Sequence, residues 1–402
     1  MAHGKCGIAL AGGGPLGAIY EIGALVALDE ALIGLDLSDC DVYVGVSSGG
    51  FFAAGLANGM TPRDLYRVFI ETEAAHNPFE PNALLLPAVG EYLRCIAAAP
   101  ELFAGALRQY LAAPLTLGFF ESFQKLARSL PTGIFDNSRL AAWLAEHFSA
   151  PGRSNDFRDL SNKLFVVATD LDASEAVAFG SPGWDDVPIS RAVQASSALP
   201  GLFPPVEIRG RHYVDGALMK TLHASVALKE GVGLLFCINP LVPFDDRLAT
   251  IRRRHQPGSL VEGGLPVVLS QTFRAIIHSR MLIGMERNRH QYPKADVVLF
   301  EPSGGDADMF FTNVFSYSSR KRLSEHAYQF TREQLRRRST ELTPLLARHG
   351  ITLDKATLED ETKCLGPPVR RRKRGRGVET GHQLDQSLRE LEKTLGAIAR
   401  RG

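Results

Sequence analysis

Twice within its first 60 residues the chain runs from an apolar segment through a glycine-containing turn into a helical pattern. Cys6–Ala11 leads into three glycines and then into Ala18–Leu32, whose apolar residues recur with helical spacing. Val42–Val46 leads through Gly49 into a second helical segment, Gly50–Ala57. Short apolar runs that end at glycine are typical of buried parallel strands. Strands that alternate with helices predict an α/β fold around a mostly parallel sheet.

The same alternation continues to about residue 350 and defines one large domain, which we place at residues 5–350. Further strands are predicted at Leu164–Ala168, Val177–Phe179, His212–Val214, Leu234–Ile238 and Val297–Phe300, and further helices at Leu140–Phe148 and Pro188–Ser196. Residues 76–135 interrupt the pattern, because six prolines separate pieces rich in Leu, Phe and Ala. We interpret this stretch as a helical insertion that is either extra core or a lid or interfacial region.

The C-terminal end of the chain is basic, although the whole chain has 45 Lys and Arg against 44 Asp and Glu. Residues 369–402 hold ten basic and four acidic residues, a net charge of +6, so the remainder holds 35 basic and 40 acidic residues, a net charge of −5. We predict a basic linker at 351–382 and a short amphipathic helix at 383–400.

Two features of this tail suggest partners. Arg370–Arg376 is either a solvated linker or a peripheral contact with an anionic membrane. It lacks the interleaved aromatic residues that stack on bases, so we expect no nucleic acid. Apolar residues at 4-3 spacing within residues 384–398 predict docking on the body of the protein or self-association.

Cysteine spacing and hydropathy exclude several classes of protein. The five cysteines are widely spaced without a Cys-x-x-Cys pair, which argues against a disulfide framework and against a zinc site. The apolar run before Gly12 is too short for a signal sequence, and polar residues and glycines interrupt the uncharged window Val42–Pro62. We therefore expect a cytoplasmic protein, either free or peripherally bound to a membrane.

The most specific chemical signal is Gly45-Val46-Ser47-Ser48-Gly49, a G-x-S-x-G sequence between a predicted strand and a predicted helix. In such a turn Gly45 and Gly49 remove side chains that would clash, and Ser47 stands out at the end of the sheet. The helix N-terminus beneath it favours negative charge at a reacting carbonyl group. The alternative is a turn of small residues in which Ser47 only caps the helix, but the flanking strand and helix favour a nucleophile.

A second glycine turn, Gly12-Gly13-Gly14-Pro15-Leu16-Gly17, also lies between a strand and a helix. Gly12, Gly14 and Gly17 match the G-x-G-x-x-G pattern of dinucleotide-binding proteins, but the next strand ends without an acidic residue for a ribose. Alternatively, the amide N–H groups of this turn form an oxyanion hole. Ser47 at the neighbouring strand end favours the oxyanion hole, since both turns would meet above the sheet.

Serine catalysis needs a base, and Tyr213-Val214-Asp215-Gly216-Ala217 delivers a carboxylate into a glycine turn after a predicted strand. Taken alone, Asp215 is a solvated turn residue. If it is hydrogen-bonded to Ser47, it accepts the serine proton directly. A Ser–His–Asp triad is the competing arrangement, because several histidines follow Asp215 in the chain, among them His223, His255, His278 and His290.

Together the three motifs resemble those of the patatin-like phospholipases, which use a glycine-rich oxyanion loop, a G-x-S-x-G serine and an Asp in a D-G-[AG] turn. The segment Ala195–Pro205 is similar to the family's block ahead of that Asp. The resemblance covers roughly residues 5–240 and continues more loosely to about 335. It implies a three-layer α/β/α fold in which Ser47 is the nucleophile and Asp215 is the general base, without a histidine.

The resemblance also assigns the glycines. Gly12, Gly13 and Gly14 would be the oxyanion donors, and the remaining motif positions are Gly17, Gly45, Gly49, Gly216 and Ala217. Leu16 departs from the pattern, because the family usually carries Arg or Lys there. Loss of that charge weakens the expectation of an anionic head group more than the expectation of an acyl ester.

What the resemblance implies is a serine lipid acyl hydrolase of the phospholipase A or lysophospholipase kind. It would release fatty acid from phospholipid, lysophospholipid or related esters through an acyl-enzyme, with a lipid or acyl ester as its substrate and with no metal or organic cofactor. Two alternatives stay open: a dinucleotide-binding oxidoreductase that uses Gly12–Gly17, and a non-catalytic scaffold that binds a membrane or a partner.

Overall fold

The computed structural model describes residues 4–71, 87–89, 92, 95, 131–245, 247, 248, 259–311 and 317–366. The strands, in chain order, are β1 (Cys6–Leu10), β2 (Leu32–Ile33), β3 (Val42–Gly45), β4 (Lys163–Asp170), β5 (Glu175–Phe179), β6 (Val206–Ile208), β7 (Arg211–Asp215), β8 (Leu234–Ile238), β9 (Asp296–Phe300) and β10 (Thr352–Leu353). The helices are α1 (Gly14–Ala31), α2 (Ser48–Ala57), α3 (Pro62–Phe69), α4 (Ser138–Phe148), α5 (Ile189–Ser196), α6 (Ala224–Lys229), α7 (Ser259–Glu262), α8 (Gly264–Gln291), α9 (Asp308–Phe311), α10 (Tyr317–Arg337), α11 (Ser339–Ala347) and α12 (Lys355–Glu359).

Within these residues the main sheet has eight strands in the order β6-β7-β4-β3-β1-β8-β9, with β5 also paired to β4. The central pairs β4–β3, β3–β1, β1–β8 and β8–β9 are parallel. Antiparallel pairing joins β5 and β7 to β4, and β6 to β7. The predicted α/β fold with a mostly parallel central sheet is confirmed.

Helices cover both faces of this sheet, as the alternation of side chains along each strand requires. Ile8 and Leu10 of β1 belong to a core shared with α1 and α10. Ala9 belongs to a second core on the opposite face, shared with α6 and with Met281 of α8. The molecule therefore has the three layers α/β/α that the resemblance implied.

The C-terminal ends of β1, β3, β8 and β9 meet along one side of the sheet, which we call the carboxyl edge. Leu10 pairs with both Gly45 and Ile238, so the turns that follow these strands lie side by side. β7 also ends at this edge, although it runs antiparallel to β4. Asp215 pairs with Ala168, only two positions beyond the β4 residue that pairs with Gly45. Ligands of open α/β sheets bind at such an edge.

The folded unit continues past the predicted domain boundary near Gly350. β10 pairs with β2, α12 follows, and the compact unit ends at Leu365. Leu353, Leu358 and Leu365 are buried in the main core, so the first part of the predicted linker 351–382 is folded. A two-residue strand and a five-residue helix are too short for hydrophobic periodicity to reveal.

Several sequence predictions fall on other parts of the chain. Arg370–Arg376 and the predicted helix at 383–400 lie outside the described residues. The predicted insertion at 76–135 is described only at 87–89, 92, 95 and 131–135. All five cysteines are free thiols. In the part of the chain that the structure describes, no helix is both long enough and apolar enough to cross a bilayer.

Candidate active site

Ser47 lies in the sharp turn that joins β3 to α2. Its φ of 53° is rare for a residue with a side chain, and such backbone strain is typical of a nucleophile elbow. The turn closes tightly, because a β-carbon on Gly45 would lie 2.4 Å from the carbonyl oxygen of Gly49. A β-carbon on Gly49 would lie 2.5 Å from the carbonyl oxygen of Leu10. Only glycine fits at both motif positions, so the predicted elbow geometry is present.

A buried hydroxyl holds the strained backbone in place. The Ser47 N–H donates to Oγ of Ser196 at 2.8 Å, and the Ser196 hydroxyl donates to the carbonyl of Val167 at 2.6 Å. Ser196 is the last residue of α5 and is fully buried. It therefore ties the elbow to β4 through two hydrogen bonds.

The glycine turn after β1 lies against the elbow. A β-carbon on Gly12 would lie 3.0 Å from Cβ of Ser47 and 3.2 Å from Cβ of Ala217, so the three residues converge. Gly13 and Gly17 pack instead against the ring of Pro240, which follows β8.

Three backbone donors of this turn are free to bind a ligand. Gly14 has a φ of 57°, a left-handed conformation that favours glycine, and the space where its β-carbon would lie is open. Within the described chain, the amide N–H groups of Gly12, Gly13 and Gly14 have no hydrogen-bond acceptor. Free amides at the start of α1 can bind an anion or a developing oxyanion.

Asp215 is held at the end of β7 by several hydrogen bonds. Its Oδ1 accepts from the N–H of Ala217 at 2.9 Å, and the Ser47 hydroxyl lies near enough to the carboxylate to lower its pKa. Its own N–H donates to the carbonyl of Ala198 at 3.0 Å, and its carbonyl accepts from the Thr169 hydroxyl at 3.1 Å. The structure thus brings Ser47 and Asp215 together, although 168 positions separate them (215 − 47).

The turn after Asp215 is equally tight. A β-carbon on Gly216 would lie 2.2 Å from the carbonyl oxygen of Val167, the same carbonyl that accepts from Ser196. β4 therefore supports the serine turn and the aspartate turn from one point.

Burial sets the protonation behaviour of Asp215. Asp215 is 4% exposed, and this burial raises the pKa of its carboxyl group to about 6. The hydrogen bond from the Ala217 amide and the nearby Ser47 hydroxyl lower the pKa, but by less. Near neutral pH the carboxyl group is therefore mostly ionised and more basic than a solvated aspartate, as a general base requires.

The histidines that could complete a triad are engaged elsewhere. The ring of His223 is fully buried beside the backbone of Gly216 and Lys220, and burial lowers the pKa of His223 to about 4. His278 pairs with Glu301 at 3.4 Å, and His290 pairs with Glu286 at 3.3 Å.

His255 lies outside the described residues. No histidine among those that the structure describes contributes to the environment of Asp215. The geometry matches a dyad better than a triad.

Several supporting residues were not identified from the sequence. Ser196 lies in the block that resembles the family pattern, but its contact with the elbow has no sequence signal. Behind the elbow, the hydroxyl of Ser48 lies near the carboxyl group of Glu21 on α1. Glu21 is fully buried, and this burial raises the pKa of its carboxyl group well above the usual range, so the group is neutral.

Leu16, the departure from the family pattern, packs against the main core. The glycine turn therefore carries no cationic side chain at that position. Across the described ranges, no group of three or more His, Cys, Asp or Glu residues could hold a metal ion.

Two solved structures are similar to this chain at low identity. VipD from Legionella pneumophila matches at 19% identity and a TM-score of 0.31, over 62% of this chain and 52% of VipD. The type III effector protein ExoU matches at 17% identity and a TM-score of 0.35, over 89% of this chain and 58% of ExoU. The chain thus spans little more than half of the length of either protein.

A sequence model of a single family matches the part of the chain that contains all three motifs. The match runs over residues 8–228, which is more than half of the chain, and the family is described as patatin-like phospholipase. It includes the last three residues of β1, the glycine turn that follows them, the Ser47 elbow and the Asp215 turn. The chain belongs to the patatin-like phospholipase family.

Proposed function

We propose that the chain is a serine lipid acyl hydrolase in which Ser47 is the nucleophile, Asp215 is the general base and Gly12–Gly14 are the oxyanion donors. One observation carries the proposal. The Ser47 hydroxyl lies near enough to the buried carboxylate of Asp215 to lower its pKa, and both lie beside a turn whose amides have no acceptor in the described chain. Family membership supports lipid hydrolysis in general.

In the first step, Oγ of Ser47 attacks the carbonyl carbon of the ester while Asp215 takes the hydroxyl proton. The carbonyl oxygen becomes an oxyanion and accepts hydrogen bonds from the glycine amides, each of which stabilises the transition state by about 3–4 kcal/mol. As the intermediate collapses, the bond to the leaving alcohol breaks. The proton on Asp215 passes to that alcohol, and the acyl group stays on Ser47.

In the second step, water attacks the acyl-enzyme and gives a proton to Asp215. The second tetrahedral intermediate uses the same amides and then releases the fatty acid, while Asp215 returns the proton to Oγ of Ser47. The substrate class is a fatty acyl ester: a phospholipid, a lysophospholipid or a related lipid. The core packing of Leu16 leaves the glycine turn without the cation that would select an anionic head group.

The proposal is tested by measuring fatty acid release from defined phospholipids, lysophospholipids, glycerides and short-chain esters. Ser47→Ala should lower kcat by at least about 10⁴-fold. Asp215→Asn should lower it by about 10²–10⁴-fold, since a general base contributes that much. Ser225→Ala, at a half-buried serine of α6, is the matched control and should keep wild-type rates.

The outcome also separates the two alternatives raised by the sequence. NAD(P) binding without ester hydrolysis would support an oxidoreductase that uses the Gly12–Gly17 turn. Neither hydrolysis nor dinucleotide binding would support a non-catalytic scaffold. Hydrolysis of one lipid class that is lost in Ser47→Ala would establish the activity and define the head group.

A further inference from the structure

α8 extends well beyond the carboxyl edge of the sheet. Asn239, which directly follows β8, contacts Met281 of α8, and Glu301, which directly follows β9, pairs with His278. Residues 278–281 are therefore level with the carboxyl edge, and the C-terminal end of α8 leads back to the start of β9. Because a helix rises about 1.5 Å per residue, the part that begins at Gly264 reaches about 20 Å past that edge.

The projecting part of α8 exposes large apolar side chains. Leu269, Phe273 and Ile276 are 45%, 50% and 52% exposed. Their spacing of four and then three residues places them on one face of the helix, and we call these three residues the helix rim. A contiguous set of half-exposed apolar side chains beside an active site marks a surface for an apolar partner.

In the strand order, α8 lies on the β8 and β9 side of the Ser47 elbow. A second apolar group lies on the other side, near β7. Leu199 and Leu202 lie in the loop that follows Ala198, whose carbonyl accepts the hydrogen bond from the N–H of Asp215. They are 36% and 41% exposed. Ile134 is joined to the same loop, because the N–H of its neighbour Phe135 donates to the carbonyl of Leu202. Ile134 is 46% exposed. We call Ile134, Leu199 and Leu202 the loop rim.

Basic side chains lie together near α8. Lys220 comes just after the turn that follows Asp215. Partial burial lowers the pKa of Lys220, and the positive charge of Arg287 lowers it further. The charge of Arg280 lowers it as well. Arg280 lies within residues 278–281, which are level with the carboxyl edge, and its neighbour Met281 shares a core with Leu222, two residues after Lys220. Neither Lys220 nor Arg280 forms an ion pair with a residue that the structure describes. We call Lys220 and Arg280 the basic cluster.

We propose that the helix rim, the loop rim and the basic cluster form a docking surface for the anionic face of a phospholipid bilayer. This inference rests on the proposed function, because the surface would hold the carboxyl edge against the lipid that supplies the substrate. Apolar side chains enter the head-group region of a bilayer, and basic side chains are attracted to its anionic lipids. A second copy of the chain fits less well, because a two-fold interface sets the basic cluster against itself.

The helix rim is tested in the full chain with Leu269→Gln, Phe273→Gln and Ile276→Gln combined. Binding is measured by co-sedimentation with vesicles of phosphatidylcholine and phosphatidylserine in equal parts. Each side chain has about half of its surface left to bury, so the triple variant should bind about 100-fold more weakly. Ile33→Gln is the control. Ile33 is 57% exposed, but it lies in β2, which follows α1 at the edge of the sheet opposite to the carboxyl edge. It should bind as the wild type does.

The basic cluster is tested with Lys220→Gln and Arg280→Gln combined. This variant should bind the mixed vesicles about 30-fold more weakly, since each basic residue near an anionic surface contributes about fivefold. On vesicles of phosphatidylcholine alone the double variant and the wild type should bind equally.

Four results would overturn the inference. The first is unchanged binding of the triple variant. The second is wild-type binding to phosphatidylcholine alone that equals its binding to the mixed vesicles. The third is a wild-type dimer that the triple variant converts to a monomer, without vesicle binding, because it assigns the helix rim to a second copy. The fourth is loss of binding on deletion of residues 369–402 while the triple variant binds normally, which moves the membrane contact to the tail.

A water-soluble butyrate ester separates this inference from the proposed function. The triple variant should hydrolyse it at the wild-type rate, because the helix rim lies outside the catalytic machinery. If the wild type does not hydrolyse the ester but the triple variant loses vesicle binding, the docking surface stands and the hydrolase proposal fails. If the ester is hydrolysed and vesicle binding is unchanged, the hydrolase stands and the docking surface fails.

Discussion

Replacing the buried carboxylate Asp215 with asparagine should make the protein more stable at neutral pH while removing its proposed base. Burial raises the pKa of Asp215 from the ordinary 3.8 to about 6, which means that folding favours the protonated form. The stabilisation that the protonated carboxyl group gives the folded state is complete below the unfolded-state pKa. It is lost as the pH rises through about 6. A change of this size in pKa corresponds to about 3 kcal/mol of folding free energy.

The change of this stability difference with pH is a more specific prediction than its size at one pH. Asparagine does not titrate, and its Oδ1 can still accept the N–H of Ala217. The stability advantage of Asp215→Asn over the wild type should therefore be small near about pH 4 and grow by about 2–3 kcal/mol towards about pH 7. Urea unfolding followed by the fluorescence of Trp143 and Trp184 measures the difference across this range.

Asp172→Asn is the control with the opposite sign. Asp172 is exposed, and the backbone N–H of His212 holds the pKa of its carboxyl group below the ordinary value. Asp172→Asn should lower the free energy of unfolding at neutral pH and change it little in acid. A difference between Asp215→Asn and the wild type that stays flat with pH, or a wild type that is the more stable protein at neutral pH, would refute the reasoning.

Three further predictions concern the same site. kcat/KM for a soluble ester should fall as the pH drops below about 6, because the protonated carboxyl group cannot accept the serine proton; a flat acid limb would contradict the assigned base. Ser196→Ala leaves the N–H of Ser47 and a buried carbonyl without partners, so it should cost about 2–4 kcal/mol in urea unfolding and slow turnover. Gly12→Ala crowds Ser47 and Ala217 and should lower kcat at least tenfold in steady-state assays, whereas Gly284→Ala, with open space around it on α8, should leave kcat unchanged.

Much of the fold could be predicted from the sequence, because it follows from local patterns. Apolar runs that end at glycine predicted the central strands, and parallel strands bring their C-terminal turns to one edge. From that rule alone, the turns that contain Gly12 and Ser47 were expected to lie side by side. Their catalytic roles, and that of Asp215, stay predictions that follow from the motifs.

Other features depend on contacts between distant segments. Asp215 reaches the carboxyl edge only because β7 runs antiparallel to β4 and stops opposite Ala168. No local pattern encodes that register. The contact of Ser196 with the elbow depends in the same way on where α5 ends against β4.

The apolar residues of α8 show a further limit of sequence patterns. Leu269, Phe273 and Ile276 have the spacing of a buried helix face, yet they are half exposed. Periodicity shows that a face is apolar, but it does not show whether that face meets the core or another surface. α8 is longer than the strands beside it, so part of its apolar face extends past the sheet.

The central claim is that the hydroxyl of Ser47 is activated by Asp215 beside the glycine amides. Labelling with a fluorophosphonate probe, followed by peptide mapping, tests it most directly, because the probe reacts covalently with activated serines. We predict a single adduct on Ser47 in the wild type, slower formation of that adduct in Asp215→Asn and none in Ser47→Ala. An adduct on another serine, or labelling that persists unchanged in Ser47→Ala, would contradict the assignment.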